Sequence, residues 1–516
     1  MNKYVLIAFC FLLFAVCFPL YSQEQQEDDE IHTEYEQDSS TLIYIINSFV
    51  FNIDGITRSY ALINKANFIH GEEITGLANL ERYIRNKQQL LYNERVLESV
   101  RIEHTVGTVQ EDGKYPVDLV IHVKDTWNII AIPRPQYTSN SGFDITVKAR
   151  DYNFLGTMSP LRLDVGYQRD IEGKNFFTLM LDADIPFRAF GFNWNLDFDN
   201  YFGYRPDMDK PFYYKNITGI SVEFPFKQTT LTAGFSESFI VNEENPLRYR
   251  EEYGYFQEGF YMSSIPFVSW KIPISPDIFD LGELNYYLKL SAVFNHEFPQ
   301  WSIADFRKGP ILNFSHNFDF GRIDWIGNFQ NGLSASVGNE FSYNFYYLKN
   351  DNEPLGSNIR VSVTGHKRFN NFIGISSRLM YRHWFFSDYH DEAGDVIRGV
   401  IDNSVLANYM LSFNLDIPVR VLRFRPSVWF NKYNKFFRIF DFDLHLSPIV
   451  DIALYNNPKE QTTFSFHNML LTAGMEIIIF PERWRSLFLR ISYGRNFSFG
   501  DRSNTSEIFI GTEFHY

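Results

Sequence analysis

Cysteine is nearly absent from this chain of 516 residues. Cys10 and Cys17 are its only two, and both lie within residues 1–22. A chain that loses this first segment therefore has no thiol. That excludes cysteine catalysis and thiolate metal sites from the remainder, and it suits an oxidising compartment.

Long apolar runs, basic clusters and enzyme motifs are lacking as well. After residue 22, no apolar run approaches the roughly 20 residues that a membrane helix needs. The net charge is −15, and phosphate binding needs clustered Lys and Arg, so we expect no nucleic-acid partner. The chain has no Gly-x-Ser-x-Gly, no His-Glu-x-x-His and no phosphate-binding glycine loop. We therefore expect no enzyme activity, no catalytic residue, no metal site and no cofactor.

The chain begins with an apolar segment. Lys3 is the only charge in residues 1–22, and residues 4–20 are nearly all apolar. This pattern predicts a cleaved signal peptide at 1–22, and a membrane-anchoring helix or lipidation at Cys17 are the alternatives. Eight acidic residues without a Lys or Arg follow, which predicts a disordered acidic leader at 23–40.

Most of the chain alternates apolar and polar side chains. Residues 161–168, 409–417 and 440–447 are examples of about a dozen or more such runs. Because side chains alternate between the faces of a strand, each run has one apolar face and one polar face. So many runs suit a closed barrel with apolar groups toward lipid and polar groups toward its lumen. The aromatic content of 18% fits the girdles of such barrels, and a Phe-rich soluble β-sandwich is the alternative.

Residues 41–126 have a different pattern, typical of a small α+β domain. It predicts a strand at 47–54, a short helix from Thr57, a longer helix at 77–91, and strands at 98–104 and 117–124. A segment of this length is just large enough to have its own core.

Three segments of this domain resemble a POTRA domain, the periplasmic module that precedes the barrels of the BamA/TamA superfamily of outer-membrane assembly proteins. Residues 51–57 resemble its first strand and the following turn, residues 95–102 resemble its lF-x-x-V-x-v segment, and residues 117–123 resemble its closing strand. There is room for one such domain, whereas BamA-like proteins usually carry several.

The second part of the chain resembles the barrel of the same superfamily, the bacterial surface antigen barrel. Asp151, Asn153, Leu155 and Gly156 resemble the early-barrel motif of the family. The resemblance covers residues 41–516. It implies an all-β transmembrane barrel of about 16 antiparallel strands at 127–516, preceded by one small α+β POTRA-like domain. The alternating runs number up to about 18, so we expect one or two strands between residues 256 and 325 to be counted twice.

A loop motif gives the first candidate for a functional site. Residues 396–400 resemble the (V/I)-R-G-(F/Y) motif of the family's long sixth extracellular loop, with Arg398 and Gly399 in the motif positions. The resemblance implies that this loop, at 386–402, folds inward and that Asp451 holds Arg398 as a loop-lock pair. An exposed arginine beside an ordinary lumen aspartate is the alternative, and such a pair would contribute about 0–1 kcal/mol.

The seam where the barrel closes is the second candidate. The first strand is expected at 127–137 and contains Pro133 and Pro135, which cannot donate to a ladder. It would pair with a last strand that ends in Phe514 and Tyr516, the C-terminal strand signal. A weak seam invites another strand to add. The resemblance implies that it opens sideways and templates incoming strands, and prolines in a linker before the seam are the alternative.

These features predict a protein that assembles or inserts outer-membrane proteins, located in the outer membrane of a Gram-negative type envelope with its N-terminal domain in the periplasm. The expected partners are unfolded outer-membrane proteins, accessory lipoproteins and the lipid bilayer. We expect the strand at 117–123 to bind clients or partners by strand addition at the edge of its sheet. A two-partner-type secretion pore that exports a dedicated protein is the first alternative, and a passive porin or surface antigen is the second.

Overall fold

The computed structural model describes most of the chain between residues 42 and 511. The described residues are 42–138, 142–169, 173–207, 211–226, 229–242, 259–275, 278, 281–298, 307–347, 353–386, 391–400, 405–430, 437–456, 469–498 and 505–511. The expected signal peptide, the acidic leader, Phe514 and Tyr516 lie outside them. The chain divides into two compact units, Met1–Thr126 and Trp127–Tyr516.

The described part of the first unit is a four-stranded sheet with two helices. Its elements are β1 (Ile43–Asp54), α1 (Ser59–Ala66), β2 (Glu73–Thr75), α2 (Leu77–Asn93), β3 (Leu97–Val106) and β4 (Tyr115–Asp125). The strand order is β2-β1-β4-β3, with β4 parallel to β1 and antiparallel to β3. The two helices and three long strands expected from the sequence are present, and the short β2 is additional.

The position of β4 corrects one expectation. The sequence analysis placed residues 117–123 at a sheet edge, where a client strand adds, but β4 lies in the centre between β1 and β3. Its backbone is therefore paired on both sides, and that expectation is wrong. Val117, Leu119 and Ile121 on one face of β4 are fully buried, so this strand forms the core of the domain. The long strand at the edge is β3.

The turn after β1 is tied to the end of β4 by one carboxylate. Asp125 accepts hydrogen bonds from the backbone N–H groups of Ile56 and Thr57 at 2.8 and 3.0 Å, and from Thr57 Oγ1 at 2.6 Å. A carboxylate that accepts several donors holds a turn firmly. The short turn that resembles the POTRA sequence is therefore fixed by a residue 68 positions later in the chain.

The second unit is an antiparallel barrel of 18 strands. Its strands are β5 (Ile129–Thr138), β6 (Gly142–Asp151), β7 (Leu161–Arg169), β8 (Asn175–Ala189), β9 (Phe192–Tyr204), β10 (Phe212–Phe226), β11 (Thr229–Val241), β12 (Phe260–Ser275), β13 (Leu284–Glu297), β14 (Pro310–Ile326), β15 (Phe329–Asn344), β16 (Leu355–Arg368), β17 (Gly374–Phe385), β20 (Tyr409–Asp416) with β21 (Val419–Phe424), β22 (Phe442–Asn456), β23 (Leu470–Pro481), β24 (Leu489–Asn496) and β25 (Ser506–Gly511). β20 and β21 count as one strand because both pair with β22. β25 lies next to β5 and closes the barrel.

The predicted barrel is thus confirmed, but the expected count of about 16 strands is wrong. Within residues 256–325, β12, β13 and β14 are three separate strands in the wall. No run in this region is counted twice. The count from alternation alone agrees with the structure better than the count implied by the resemblance.

The outer face of the barrel is apolar and the inner face is polar. On β6, Phe143, Ile145 and Val147 are exposed on the outside, and the same outward pattern recurs around the wall. The opposite face carries ion pairs, such as Arg150 with Asp164 on the neighbouring strand. This is the arrangement expected for strands that separate lipid from a watery lumen.

Most connections at one end of the barrel are shorter than those at the other, although the connection at 425–441, between β21 and β22, is long and lies at the end with the shorter turns. β5 begins at the end where β8 and β9, and also β14 and β15, are joined by two residues, and we call this the turn end. The opposite end, the loop end, carries the long connections at 242–259 and 298–309 and the connection between β17 and β20. That last connection contains two short strands, β18 (Asp391–Glu392) and β19 (Leu406–Ala407), which pair with each other.

Helices are few. Besides α1 and α2, the described residues contain one short α-helix, α3 (Pro426–Trp429), between β21 and β22. In this part of the chain, no helix has the length and apolar character needed to cross a membrane.

Candidate functional site

The described part of the connection between β17 and β20 lies against the inside of the barrel wall. We call its residues 391–407 the lumen loop, of which 391–400 and 405–407 are described. Val396, Ile397 and Val400 of this loop are buried in an apolar cluster. The wall contributes these members to the cluster: Met380, Met410, Ala453, Tyr455 and Leu470. Burial of apolar side chains thus places the loop against the inner wall of β17 to β23.

Arg398 projects from the lumen loop onto Asp451 of β22. Its Nε donates to Asp451 Oδ2 at 2.8 Å, and one terminal nitrogen donates to Oδ1 at 2.5 Å. The backbone N–H of Arg398 also donates to Oδ2, at 3.0 Å. Arg398 is 4% exposed and Asp451 is fully buried. The planar guanidinium therefore binds the carboxylate through two parallel hydrogen bonds in a site shielded from water.

Two further carboxylates bind the same guanidinium. Asp416 Oδ1 on β20 lies 2.7 Å from Arg398, and Glu476 Oε1 on β23 lies 3.0 Å from it. Arg490 on β24 approaches the same Glu476 oxygen at 3.4 Å. Met475 and Ile477, on either side of Glu476, are exposed on the outside of the barrel, so Glu476 points inward. One loop arginine thus joins three neighbouring strands of the wall.

Gly399 is held by the last two strands. Its N–H donates to Glu507 of β25 at 3.0 Å, and its carbonyl accepts a hydrogen bond from Thr505 at 2.8 Å. Its φ is +87°, and a Cβ placed there would lie 2.7 Å from the backbone of Gly494 on β24. Only glycine combines this conformation with this close approach. The lumen loop therefore reaches across the wall to the strand that closes the barrel.

The seam contains both prolines of the predicted first strand. Pro133 and Pro135 lie within β5, opposite Val147 and Ile145 of β6, and not in a linker before the barrel. At the seam, Arg134 Nε donates to the carbonyl of Ile510 in β25 at 2.8 Å. Its guanidinium also lies 4.7 Å from the centre of the Phe509 ring. A side chain therefore contributes to a junction where two backbone donors are missing.

The early-barrel motif forms a turn after β6 and is not part of this site. Asp151 ends β6, and its carboxylate accepts the N–H of Asn153 at 3.1 Å. Asn153 is fully buried and accepts the N–H of Met158 through its side chain at 2.9 Å. Leu155 is half exposed, and the N–H of Gly156 donates to the Asn153 carbonyl at 2.9 Å.

The structure thus brings Arg398, Gly399 and Asp451 together, and it adds partners that the sequence reasoning missed. The missed residues are Asp416, Glu476, Arg490, Gly494 and Glu507. Asp416, Glu476 and Glu507 are ordinary lumen residues by their pattern, because acidic side chains are expected on any inward face. Asp416 and Glu476 become distinctive only when the strands are placed side by side.

The chemistry of this cluster is that of an ionic clamp. Guanidinium and carboxylates in a water-poor site attract strongly, and removal of one partner leaves a buried charge. Among the described residues, no group of three or more His, Cys, Asp or Glu side chains is placed to hold a metal ion. The cluster can fix a loop inside a barrel, and it can release that loop when its pairs are broken.

Comparisons with known proteins give only distant structural likenesses. No protein-family model matches the chain, and no curated protein matches it. CdiB from Acinetobacter baumannii has 13% identity and a TM-score of 0.49, over 92% of this chain and 74% of that chain. BamA from Haemophilus ducreyi, lacking POTRA domains 1–3, has 14% identity and a TM-score of 0.40, over 90% and 84%. CdiB from Escherichia coli has 8% identity and a TM-score of 0.44, over 93% and 92%. Values this low carry no information on partners or activity.

Proposed function

We propose that this chain is an outer-membrane barrel that helps other outer-membrane proteins to insert. The apolar outer face of a closed barrel supports a position in a bilayer, because every backbone group inside lipid must be paired. Short turns at one end and long loops at the other are typical of outer-membrane barrels, with the short turns on the periplasmic side. β5 begins at the turn end, so the residues that precede it enter the barrel from the periplasm.

The observation that carries the insertion proposal is the composition of the seam. β5 contains Pro133 and Pro135, so the strand that closes the barrel lacks two backbone donors. A junction with fewer backbone hydrogen bonds opens at lower cost than the other pairs of the wall, and an exposed strand edge templates a new strand. Client strands would then gain free energy by burying their apolar faces in the bilayer.

The first unit supports a role in binding unfolded clients. The order of its strands and helices supports the interpretation of this unit as a POTRA-like domain, and β3 at the edge of the sheet could accept an extended segment by strand addition. Such binding uses main-chain hydrogen bonds and has little sequence preference, as clients of many sequences require. Unfolded outer-membrane proteins and accessory lipoproteins are the partners we propose, with no enzyme step.

A secretion pore is the second candidate, and the lumen loop favours it. The described residues of the lumen loop lie against the inner wall and are held by Arg398, so an element that could be released lies inside the lumen. A pore for one exported protein would need such a plug. A passive porin has no evident use for the folded unit at residues 42–126.

Quantitative proteomics of the outer membrane after depletion of this protein tests these functions. Loss of many unrelated barrel proteins together supports insertion. Accumulation of a single exported protein inside the cell supports the secretion pore instead. An unchanged outer-membrane proteome contradicts both. Complementation with a chain lacking residues 42–126 then shows whether clients depend on the first unit.

A further inference from the structure

The hairpin formed by β14 and β15 extends beyond the barrel wall at the turn end. β14 pairs with β13 only as far as Phe320, and β15 first pairs with β16 at Gly332. Among the described strands, residues 322–331 between these points belong to no pair other than that of β14 with β15. We call residues 322–331 the hairpin tip. It is a two-stranded ribbon that has left the wall.

Two glycines set the direction in which the tip leaves. Gly321 has φ +98° and Gly332 has φ +133°, conformations that other residues rarely adopt. A Cβ on Gly321 would lie 2.1 Å from the Leu333 carbonyl oxygen, and one on Gly332 would lie 2.1 Å from that of Arg322. Both strands of the hairpin therefore bend at a position that accepts only glycine.

The bent tip packs against a distant part of the inner wall. Asn328 Nδ2 at its turn donates to Asp443 Oδ2 of β22 at 3.1 Å. The ring of Phe329 lies 4.6 Å from that of His445 on β22, and the ring of Trp325 lies 6.3 Å from that of Phe480 on β23. In the strand order, β16, β17 and β20 with β21 separate the hairpin from β22. The tip therefore lies across the lumen side of these strands.

A cavity of about 40 Å³ remains between the tip and the wall. Phe329 of the tip lines it, together with His445, Ser447, Asp416 and Glu476 of the wall. Among the described residues, neither His445 Nε2 nor Ser447 Oγ has a hydrogen-bond partner, although both atoms are buried. Buried polar atoms without partners destabilise a contact. The tip is thus seated on a surface that would gain hydrogen bonds from water.

We propose that the hairpin tip is a gate at the turn end of the lumen, hinged at Gly321 and Gly332. Its opening admits water to Asp416 and Glu476, the two carboxylates that line the cavity and also bind Arg398. Ion pairs weaken when water enters, because the effective dielectric constant rises. An open gate therefore weakens two of the ion pairs of Arg398, while Asp451 and the apolar cluster still hold the lumen loop over β20. This inference goes beyond the proposed function, since it concerns access to the lumen whatever the barrel handles.

The test is the reactivity of a single thiol behind the tip. Cys10 and Cys17 are replaced by serine, and Ser447→Cys is introduced as the reporter. The matched control is Ser412→Cys on β20. Ser412 and Ser447 are both 1% exposed, and among the described residues neither hydroxyl has a partner. Ser412 pairs with Ala453 under the lumen loop and does not line the cavity. Each full chain is reconstituted in phospholipid vesicles and treated with a membrane-impermeant maleimide.

With the natural tip, we expect Ser447→Cys to react measurably faster than Ser412→Cys. The variant N328A/F329A removes the tip contacts to Asp443 and His445 and should accelerate labelling at position 447 at least about tenfold, with position 412 unchanged. Gly332→Ala disturbs the bend, keeps the tip side chains and should act in the same direction. Heat-dependent gel migration reports whether each barrel is folded, and Gly332→Ala carries the test if the double variant is not.

Two results would overturn the gate. The first is equal, slow labelling at positions 447 and 412 with the natural tip. The second is equal acceleration at both positions in the tip variants, which would show general loosening of the barrel.

Discussion

Arg398 is the residue whose loss should affect the barrel most. Arg398→Ala removes the guanidinium that pairs with buried Asp451 and leaves Glu476 with Arg490 as its neighbouring cation, and breaking a buried pair of this kind costs about 3–5 kcal/mol. We expect the midpoint of urea unfolding, monitored by tryptophan fluorescence, to be lower than in the natural protein. We also expect rapid proteolysis within the lumen loop while the barrel is still folded.

A second lumen arginine provides the control for this prediction. Arg162 forms an ion pair with Asp182 at 3.1 Å, but its side chain is 47% exposed. Exposed pairs contribute little, so Arg162→Ala should change stability by at most about 1 kcal/mol. Equal effects of the two substitutions would mean that the clamp does not hold the loop.

Asp118 should make the first unit sensitive to acid. Hydrogen bonds from Ser48 and Asn47 lower the pKa of the Asp118 carboxyl below its usual range. A carboxyl whose pKa is lower in the folded state stabilises the fold fully at pH values above its unfolded-state pKa of about 3.9. This contribution is lost as the pH falls through the folded-state pKa. We therefore expect the free energy of unfolding of residues 42–126, followed by circular dichroism, to depend less on pH below pH 4 in Asp118→Asn than in the natural sequence. Asp54→Asn, at an exposed position at the end of β1, should retain the dependence of the natural domain.

The clamp also shows what the sequence can and cannot predict about single residues. Arg398 and Asp451 are recognisable because a motif marks the loop and an acidic residue stands on the strand that follows. Glu476 and Glu507 carry no such mark, because an acidic residue on an alternating strand is what any watery lumen requires. Their role depends on which strands are neighbours, and alternation does not contain that information.

The lumen loop should be displaced by a single added methyl group. Gly399→Ala places a Cβ 2.7 Å from the backbone of Gly494, and it imposes a strained φ on alanine. We expect faster hydrogen exchange throughout residues 391–400, because the hydrogen bonds to Thr505 and Glu507 can no longer form. Gly365→Ala on β16 is the control, since its nearest contact would be an ordinary 3.7 Å. Unchanged exchange in Gly399→Ala would contradict the close packing of loop and wall.

The elements of the fold are predicted to different degrees. Period-two alternation is a local property, so the strand runs are found in the sequence, and their full count agrees with the structure. The order in which strands lie side by side in a sheet is not a local property. The central position of β4 depends on the parallel pairing of β1 with β4, which the order strand, helix, helix, strand, strand does not determine. The sequence does not predict the inward bend of the β14–β15 hairpin either. Residues 322–331 continue the strand pattern, although β13 and β16 no longer pair with the hairpin there.

The whole barrel is held from inside at the strands around its seam. The lumen loop binds β20, β22 and β23 through Arg398, and it binds β25 through Gly399 and Glu507. β5, on the other side of the seam, has no such contact with the loop among the described residues; Arg134 links it to β25 instead. An opening at the seam would therefore separate β5 from a block of strands that the loop keeps together.

This asymmetry predicts the effect of restoring the missing donors of β5. Replacing Pro133 and Pro135 by valine adds two N–H groups to a strand whose pairing they can complete, and valine favours strands. We expect the seam to become more stable and the insertion of an unfolded client barrel into vesicles containing the protein to slow severalfold. Pro266→Val on β12 adds the same chemistry in the middle of the wall, where Pro266 lies opposite Phe235, and it should leave insertion unchanged. If hydrogen exchange of β25 becomes slower in the β5 variant but clients insert at the natural rate, then a stronger seam does not affect insertion. Insertion would then have to use another edge, and among the described residues β3 is the long edge strand of the first unit.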